Sequence, residues 1–416
     1  MLRRLMASSL FQDTAMLVSG TAGGRVILLL TLPVVARLYD PEDFRLLAVF
    51  VALVSTISVV ACLRFEIAIP LARSDDDAVN LLALALLSVI GVSVVMLVLS
   101  SVSPESIALW IGVPDIAPYL WLVAPGIFLV ASYSALQFWA TRMHRFGVIG
   151  RTRVGQAATG AGTMLAMGWA GLAPVGLLLG NILSLGAGGL LLATQALRND
   201  RKRLRAITRP RMRETLRDYC RYPIFSTPEA LANVAGIQIP ILIIASHAGD
   251  EAGQLFLAMQ VMAAPMSLLG ASVGQVYASR AAEELRKGTL GPFTRSMMRR
   301  LFLIGAGPIA VAALLAPLLS SLFFGSDWAR AGVIVAWIAP WMLLQLTVSP
   351  VSMGLHVTGH QRAAMVLQVV GLALRVGAVA LAASFPVAGT VETYAVSGAI
   401  FYLVYAITVK WAVRSR

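Results

Sequence analysis

Two arginines lie deep inside long apolar stretches of the sequence, where a charged side chain needs a physical explanation. Arg25 stands in the middle of residues 14–36, roughly 16 Å from either end at about 1.5 Å per helical residue. Arg375 is nearly as deep in residues 364–384. A charge at the centre of a bilayer costs at least about 2.5 kcal/mol. Each arginine is therefore expected to face a wet cavity, or else to bond helix carbonyls or a lone acidic partner.

The chemistry that these arginines offer is the binding of an anion. No Asp or Glu occupies the centre of an apolar stretch, so the charge of Arg25 and Arg375 is not balanced locally. The two-donor fork of a guanidinium suits a diphosphate. Arg64, in the stretch LRFEIAIP, is a third candidate that would guide such a group inward, unless its neighbour Glu66 pairs with it or with another arginine. We therefore predict that Arg25, Arg375 and Arg64 bind a diphosphate.

Glu229 is the acid nearest to the interior of an apolar stretch in the second half of the chain. It follows Ser226, Thr227 and Pro228, and this order is typical of a helix start with proline in the first position and an acid in the first turn. Two interpretations remain open for Glu229. It either caps the helix or serves as a protonatable site that couples an ion or proton to transport.

Neutral amides also lie within the apolar stretches, and such groups hydrogen-bond either sugars or neighbouring helices. The candidates for sugar contacts are Gln137, Asn181, Asn233, Gln260 and Gln345. The sequence contains no nucleophile elbow, paired carboxylates or metal-ligand cluster. It therefore predicts no catalytic residue, no metal site and no cofactor, and it favours a transporter over an enzyme.

The elements that position these side chains must be transmembrane helices. Of 416 residues, 58% are hydrophobic and only 13% are charged, and the mean hydropathy of +0.81 requires lipid as the solvent. A bilayer core of about 30 Å needs roughly 20 apolar residues per helix. Apolar runs of that length predict an all-α polytopic protein with about twelve spans, near residues 14–36, 44–63, 79–100, 117–140, 152–169, 173–193, 222–246, 254–279, 301–324, 331–354, 364–384 and 390–409.

The distribution of positive charge predicts the topology. With the N-terminus in the cytoplasm, 28 of the 33 Lys and Arg residues fall in inner segments, including Arg151 and Arg153, and three fall in outer loops. Basic residues are concentrated in cytoplasmic loops of membrane proteins. The asymmetry indicates an even number of spans with both termini in the cytoplasm. It also accounts for the net charge of +13 without a nucleic-acid partner.

The two halves of the sequence resemble each other. Pro33 and Pro240 take matching places before a short acidic turn, and TRMHR at 141–145 parallels TGHQR at 358–362. The pattern predicts two six-helix bundles, residues 1–193 and 222–416, joined by a basic cytoplasmic linker at 194–221. Because each repeat has an even number of spans, the bundles are expected to be related by a pseudo-twofold axis along the membrane normal.

Several blocks of the sequence point to a known family. LPVVARLYDPEDFRLLAVF, LRFEIAIPLARSDDDAV and RYPIFSTPEALAN are similar to blocks of the Wzx-type O-antigen and polysaccharide flippases, within the multidrug/oligosaccharidyl-lipid/polysaccharide exporter superfamily. The resemblance implies a bacterial inner-membrane protein with a cationic central cavity. It also implies movement of an undecaprenyl-diphosphate-linked repeat unit, such as an O-antigen unit of lipopolysaccharide, from the cytoplasmic to the periplasmic leaflet. Arg45 departs from the family pattern, which usually has glycine there.

Two other functions compete with a flippase. A multidrug-type exporter of the same superfamily is the nearer alternative, but cationic drugs favour acids in a cavity where this chain offers arginines. A polytopic polysaccharide polymerase needs a large external loop, whereas the longest loop here is internal and basic. The partners expected for a flippase are the lipid-linked oligosaccharide, membrane lipid and other polysaccharide assembly proteins.

Overall fold

The structure, a computed structural model, describes residues 9–385 and 389–414, and within these residues it is helical and has no strand. Charged and turn residues set the helix ends. The helix that starts at Asp75, for example, is capped by Ser74, whose hydroxyl accepts a hydrogen bond of 3.1 Å from the Asp77 amide. The three acidic residues in the first turn stabilise the N-terminus of that helix, because negative charge there interacts favourably with the helix dipole.

The first half of the chain forms six long helical spans, one of them built from two consecutive helices. Their elements are α1 (Ser9–Leu38), α2 (Pro41–Ala61), α3 (Asp75–Val102), the short α4 (Pro104–Ile111), α5 (Val123–Arg142), α6 (Phe146–Trp169), α7 (Val175–Gly186) and α8 (Gly188–Asn199). A 3-10 helix, Phe65–Leu71, lies between α2 and α3, and a second, Pro114–Leu122, leads into α5.

The second half of the chain begins with two short helices and then forms six more spans. The elements are α9 (Arg201–Leu204), α10 (Arg209–Asp218), a π-helical turn (Tyr222–Ser226), α11 (Thr227–His247), α12 (Glu251–Arg286), α13 (Leu290–Phe324), α14 (Ala329–Val348), the short α15 (Met353–Val357), α16 (Gln361–Ala383) and α17 (Thr390–Ala412). Two 3-10 turns, Ser326–Trp328 and Ser349–Val351, flank α14.

The helices are those of a multi-pass membrane protein. Within the described residues, ten spans are long and apolar enough to cross a membrane. The other two long helices are α6, with 24 residues, and α12, with 36 residues. At about 1.5 Å per residue both are longer than the apolar core of a bilayer. The predicted all-α fold of twelve long helices is confirmed.

The chain divides into two compact units. The first contains the described residues up to Tyr39 together with Val49–Val234, and the second contains Asp40–Ala48 and Ala235–Arg416. The first turns of α2 therefore belong to the second unit, where Phe44 packs edge-to-face on Trp328 with ring centroids 4.8 Å apart. The predicted domain boundaries at residues 193 and 222 stay predictions.

Glycines bring α1 and α6 of the first unit into backbone contact. A Cβ on Gly24 would lie 2.9 Å from the carbonyl oxygen of Arg153, and a Cβ on Gly150 would lie 2.6 Å from that of Met16. Gly20 faces the backbone of Gly150 directly. Because no side chain fits at this crossing, the two helices approach as closely as backbones allow.

A second glycine contact joins α6 to α7 in the same unit. A Cβ on Gly180 would lie 2.8 Å from the carbonyl oxygen of Gly160, and Gly176 packs on Met167 and Tyr39. Gly20 with Gly24, and Gly176 with Gly180, have the GxxxG spacing that permits such close approach.

Polar side chains tie together the helix starts at one end of the second unit. Arg330 forms ion pairs with Glu251, at 3.1 Å, and with Glu392. Gln254 donates to the carbonyl oxygen of Asp327 at 2.6 Å and accepts from the Ala331 amide at 3.0 Å. The first turns of α12, α14 and α17 are thus fixed to one another.

Arg45 occupies the position where the family resemblance predicts glycine. Its side chain donates a hydrogen bond to the carbonyl oxygen of Ala245, near the end of α11.

Candidate functional site

Arg25 lies on the exposed side of α1 in the first unit, next to the α1–α6 crossing. Arg153 on α6 lies at the same crossing, because its carbonyl oxygen would lie 2.9 Å from a Cβ on Gly24, the neighbour of Arg25, and like charges repel each other. Among the side chains that the structure describes, no Asp or Glu forms an ion pair with either arginine. The crossing therefore carries two positive charges that nothing described neutralises.

Helix α5 orients the guanidinium of Arg153. Its Nη2 donates to Oε1 of Gln137 at 2.7 Å, and its central carbon lies 5.5 Å from the ring centroid of Tyr133. The Tyr133 hydroxyl is itself bonded to that of Thr152 at 3.1 Å. The Nε atom of Arg153 is buried and has no hydrogen-bond partner among the described residues. Arg153 is thus held in place with donor capacity left over.

Arg153 is a candidate that sequence reasoning missed. The charge count places it among the inner segments, at the edge of the span predicted from residue 152, yet α6 begins at Phe146 and carries Arg153 two turns into the helix. The available signal is Gly150, one turn before Arg153, because a small residue there permits the close approach of another helix. Arg25 and Arg153 are hereafter called the cationic cluster, and Gln137 lies beside it.

Arg375 has a different setting, inside the second unit. It is 1% exposed, its Nε donates to the carbonyl oxygen of Gly371 at 2.9 Å, and its guanidinium carbon lies 4.5 Å from the ring centroid of Phe401. Gly236 leaves room for the guanidinium, because a Cβ there would lie 2.6 Å from Nη2. Nη2 itself is buried without a described partner. These contacts fit the helix-carbonyl interpretation of Arg375, and its predicted diphosphate contact stays a prediction.

Arg64 sits on a strained turn just before the 3-10 helix Phe65–Leu71. Its φ of 59° is left-handed, a conformation that non-glycine residues rarely adopt. Its Nη1 pairs with Oε1 of Glu66 at 3.2 Å, and Glu66 is only 3% exposed. The pairing with Glu66 that the sequence left open is therefore present. Unlike the charges of the cationic cluster, that of Arg64 is locally balanced, and its role as a guide stays a prediction.

Arg142 holds the segment that carries Arg64. From the end of α5 it pairs with Asp75 at 3.0 Å, and it also donates to the carbonyl oxygens of Ile69 and Ala72, each at 3.0 Å. A single guanidinium thus ties α5, α3 and the 3-10 helix together.

Glu229 is exposed on the first turn of α11. The α-helix begins at Thr227, but helical backbone already runs through Tyr222–Ser226 as a π turn that leads directly into it, so Ser226 and Thr227 do not stand at a free helix start. The hydroxyl of Thr227 is buried without a described partner and caps nothing. The coupling role of Glu229 stays a prediction.

The five predicted amides are spread over both units. Gln137 on α5 contacts an arginine of the cationic cluster, and Asn181 on α7 is half-buried in the same unit. Asn233 is exposed on α11, whereas Gln260 and Gln345 are half-buried on α12 and α14. Gln137 is therefore the amide that the structure places beside a candidate anion site.

Comparison with solved structures identifies the fold. The lipid II flippase MurJ, in an inward closed conformation, superposes with a TM-score of 0.70 at 14% identity, covering 94% of this chain and 86% of that chain. An inward-facing multidrug resistance MATE family transporter of the MOP superfamily gives 0.63 at 16% identity, with 96% and 95% covered. A MOP superfamily transporter from Pyrococcus furiosus gives 0.60 at 15% identity, with 97% and 96% covered. The chain therefore has the fold of MOP superfamily transporters, as the resemblance predicted.

Comparison of the sequence itself identifies the family. A search of curated proteins gives no significant match. Residues 34–332 match the family described as polysaccharide biosynthesis protein. Since this match covers well over half of the 416 residues, the chain belongs to the polysaccharide biosynthesis protein family.

Proposed function

We propose that the chain is a flippase for a lipid-linked oligosaccharide. Its substrate would be an undecaprenyl-diphosphate-linked repeat unit of O-antigen or another surface polysaccharide, moved from the cytoplasmic to the periplasmic leaflet of a bacterial inner membrane by alternating access of two bundles. Membership of a polysaccharide biosynthesis family supports a substrate from that pathway. The fold shared with a lipid II flippase supports a lipid-linked one.

The cationic cluster is the observation that carries the proposal. Arg25 and Arg153 are like charges held at one helix crossing, and their repulsion is relieved when an anion binds between them. A diphosphate loses strong hydration when it leaves water, and two guanidinium groups replace those hydrogen bonds. Gln137 supplies a neutral amide beside the same cluster. Charge and hydrogen-bonding capacity therefore match a diphosphate with a sugar attached.

The competing functions fit the cluster less well. The cationic substrate of a multidrug-type exporter would meet two arginines at this crossing, and like charges repel each other. A polymerase needs an external loop large enough to hold catalytic groups. Within the described residues, the longest stretch between two spans is the basic one that follows Asn199. We propose that this stretch and both termini are cytoplasmic.

The test is deletion of the gene, followed by analysis of lipid-linked intermediates and of surface polymer. The proposal expects undecaprenyl-diphosphate oligosaccharide to accumulate on the inner leaflet while the surface polymer is lost. The wild-type gene should restore the polymer, and a gene carrying Arg25→Ala with Arg153→Gln should not. Normal surface polymer in a deletion strain that has no second flippase would rule the proposal out.

A further inference from the structure

The segment between α8 and α11 carries a concentration of positive charge that the proposed transport site does not use. From Arg198 to Arg221 the sequence contains ten basic and three acidic residues. A basic loop alone is what the topology rule requires of any cytoplasmic connection. What goes beyond that rule is the fixed geometry in which the structure holds these charges.

Hydrogen bonds between side chains and backbone dock the segment on the start of α3 and on the residues just before it. The side chain of Asn80, which is fully buried, donates to the carbonyl oxygen of Ala206 at 3.1 Å and accepts from the Thr208 amide at 3.4 Å. Further along, the hydroxyl of Tyr219 accepts from the Arg73 amide at 3.2 Å. Both ends of α10 are therefore anchored to the same unit, so the helix is not a free tether.

Ion pairs complete the docking and use only a small part of the charge. Arg203 pairs with Asp75 at 3.0 Å and with Asp200 at 3.4 Å, and Arg211 pairs with Asp76. The other eight cations are exposed and form no ion pair with any described acid: Arg198, Arg201, Lys202, Arg205, Arg209, Arg213, Arg217 and Arg221. They face only two exposed acids within the segment, Glu214 and Asp218.

Three of the free arginines form a stripe along one side of α10. Arg209, Arg213 and Arg217 are spaced four residues apart, so they share a face and follow one another about 6 Å apart along the helix axis. Thr215, on the opposite side, is 4% exposed and faces the docked surface. Docking through one face of α10 thus presents the arginine stripe outward.

The stripe lies beside the first turns of a membrane-spanning helix. Helix α10 packs on the start of α3, which crosses the bilayer, and the chain then continues into Ile224 and Phe225, which are 59% and 69% exposed. Exposed cations beside exposed apolar side chains are characteristic of helices that lie in the headgroup region.

We propose that Arg209, Arg213 and Arg217 bind the phosphodiester headgroups of anionic phospholipids in the leaflet next to the start of α3. Guanidinium groups match phosphate oxygens in charge and geometry. Phospholipid is the occupant favoured over a soluble anionic partner because the docked helix is held beside the bilayer. This inference goes beyond the proposed flippase activity and stands whether or not that activity is correct.

The experiment measures lipid selectivity of the purified full-length chain. The protein is reconstituted in phosphatidylcholine vesicles that contain either spin-labelled phosphatidylglycerol or spin-labelled phosphatidylcholine, and the motionally restricted fraction is compared by electron paramagnetic resonance. Wild-type protein should prefer phosphatidylglycerol. In the variant Arg209→Gln/Arg213→Gln/Arg217→Gln, the preference for phosphatidylglycerol should be lower by a factor of about five or more. Each basic group near an anionic surface contributes about that factor to binding.

A matched control separates the stripe from total charge. The variant Arg286→Gln/Arg299→Gln/Arg300→Gln removes three exposed arginines elsewhere in the chain and should keep the wild-type preference. An unchanged preference in the stripe variant, or an equal loss in both variants, overturns the proposal. Should the triple stripe variant fail to fold, the single variants Arg213→Gln and Arg299→Gln give the same comparison. Replacing the three stripe arginines by lysine should retain most of the selectivity, because the charge is kept.

Discussion

Arg153 and Gln137 are joined by a hydrogen bond of 2.7 Å from Nη2 to Oε1, which sets a cation of α6 against a neutral amide of α5. The amide orients the guanidinium without cancelling its charge. A carboxylate at position 137 would orient the guanidinium and also neutralise its charge. Replacing the amide by a carboxylate therefore tests directly whether transport depends on the charge of Arg153.

Gln137→Glu should reduce transport by about tenfold, because the new ion pair neutralises the positive charge of Arg153, and hydrogen bonds to charged groups are worth roughly 1.5–3 kcal/mol. The isosteric change should leave protein abundance in the membrane nearly intact. Surface polymer and membrane abundance are measured together in a deletion strain. Gln137→Leu is the control, since it removes the hydrogen bond but keeps the positive charge and should retain more activity. Full transport by Gln137→Glu would mean that the charge of Arg153 is not used.

The close crossing of α1 and α6 predicts a pair of glycine variants with opposite outcomes. Gly150→Ala places a Cβ 2.6 Å from the carbonyl oxygen of Met16, so the helices must separate. We expect a loss of about 1–3 kcal/mol, as for other overpacked sites. Gly155→Ala, on the same helix, meets nothing within 4 Å and should be neutral or stabilising by up to about 1 kcal/mol. Thermal unfolding of the purified protein in detergent compares the two, and equal melting temperatures would contradict the crossing.

The number and type of the helices could be predicted from the sequence because lipid imposes a length and a composition on every span. The position of Arg153 could not, because a charged residue inside a helix and one at its end look alike when the boundary is drawn by charge. Depth alone likewise failed to separate Arg25, which is exposed, from Arg375, which is buried against Phe401 and Gly371. That difference depends on which helices pack together, and packing is not encoded in hydropathy.

The division of α2 between the two units was also beyond the sequence. Its apolar run continues without a break through Ala48 and Val49, where the unit boundary falls. The assignment of the first turns to the second unit rests on tertiary contacts such as that of Phe44 with Trp328. Local patterns identify a helix, but they do not identify its neighbours.

Removing the charge of Asp200 is expected to cause a large loss of protein stability. It is 1% exposed and accepts two hydrogen bonds from Arg145, of 2.7 and 2.8 Å, and one of 3.0 Å from Trp139. Asp200→Asn leaves the guanidinium unbalanced in a site of low polarity, which typically costs about 3–5 kcal/mol, and Arg145 is partly exposed, so we expect the lower end. Asp218→Asn, at an exposed position, should stay within about 0.5 kcal/mol of wild type. Similar melting temperatures for the two variants would show that the buried pair contributes little.

The charge distribution predicts the orientation of the protein in the membrane. Reporter fusions placed after Arg205 should give a cytoplasmic signal and fusions after Gly249 a periplasmic signal, because α11 lies between these positions and basic segments stay inside. Paired alkaline phosphatase and green fluorescent protein fusions at each site provide the readout. An external signal after Arg205 would reverse the topology and place the arginine stripe of α10 on the other leaflet.

Arg25 gives the strongest prediction about the transported group. If the diphosphate passes the cationic cluster, it loses part of its hydration, and fixed donors there must meet its negative charge. Arg25→Ala should abolish or greatly reduce surface polymer while the protein still inserts, since removal of a charge from the middle of a span makes insertion easier. Arg25→Lys should keep part of the activity, because the charge remains but the planar two-donor fork is lost. Polymer is quantified against membrane abundance for each variant. Wild-type transport by a stably inserted Arg25→Ala protein would show that Arg25 is structural, and the negative charge of the substrate would then need another partner.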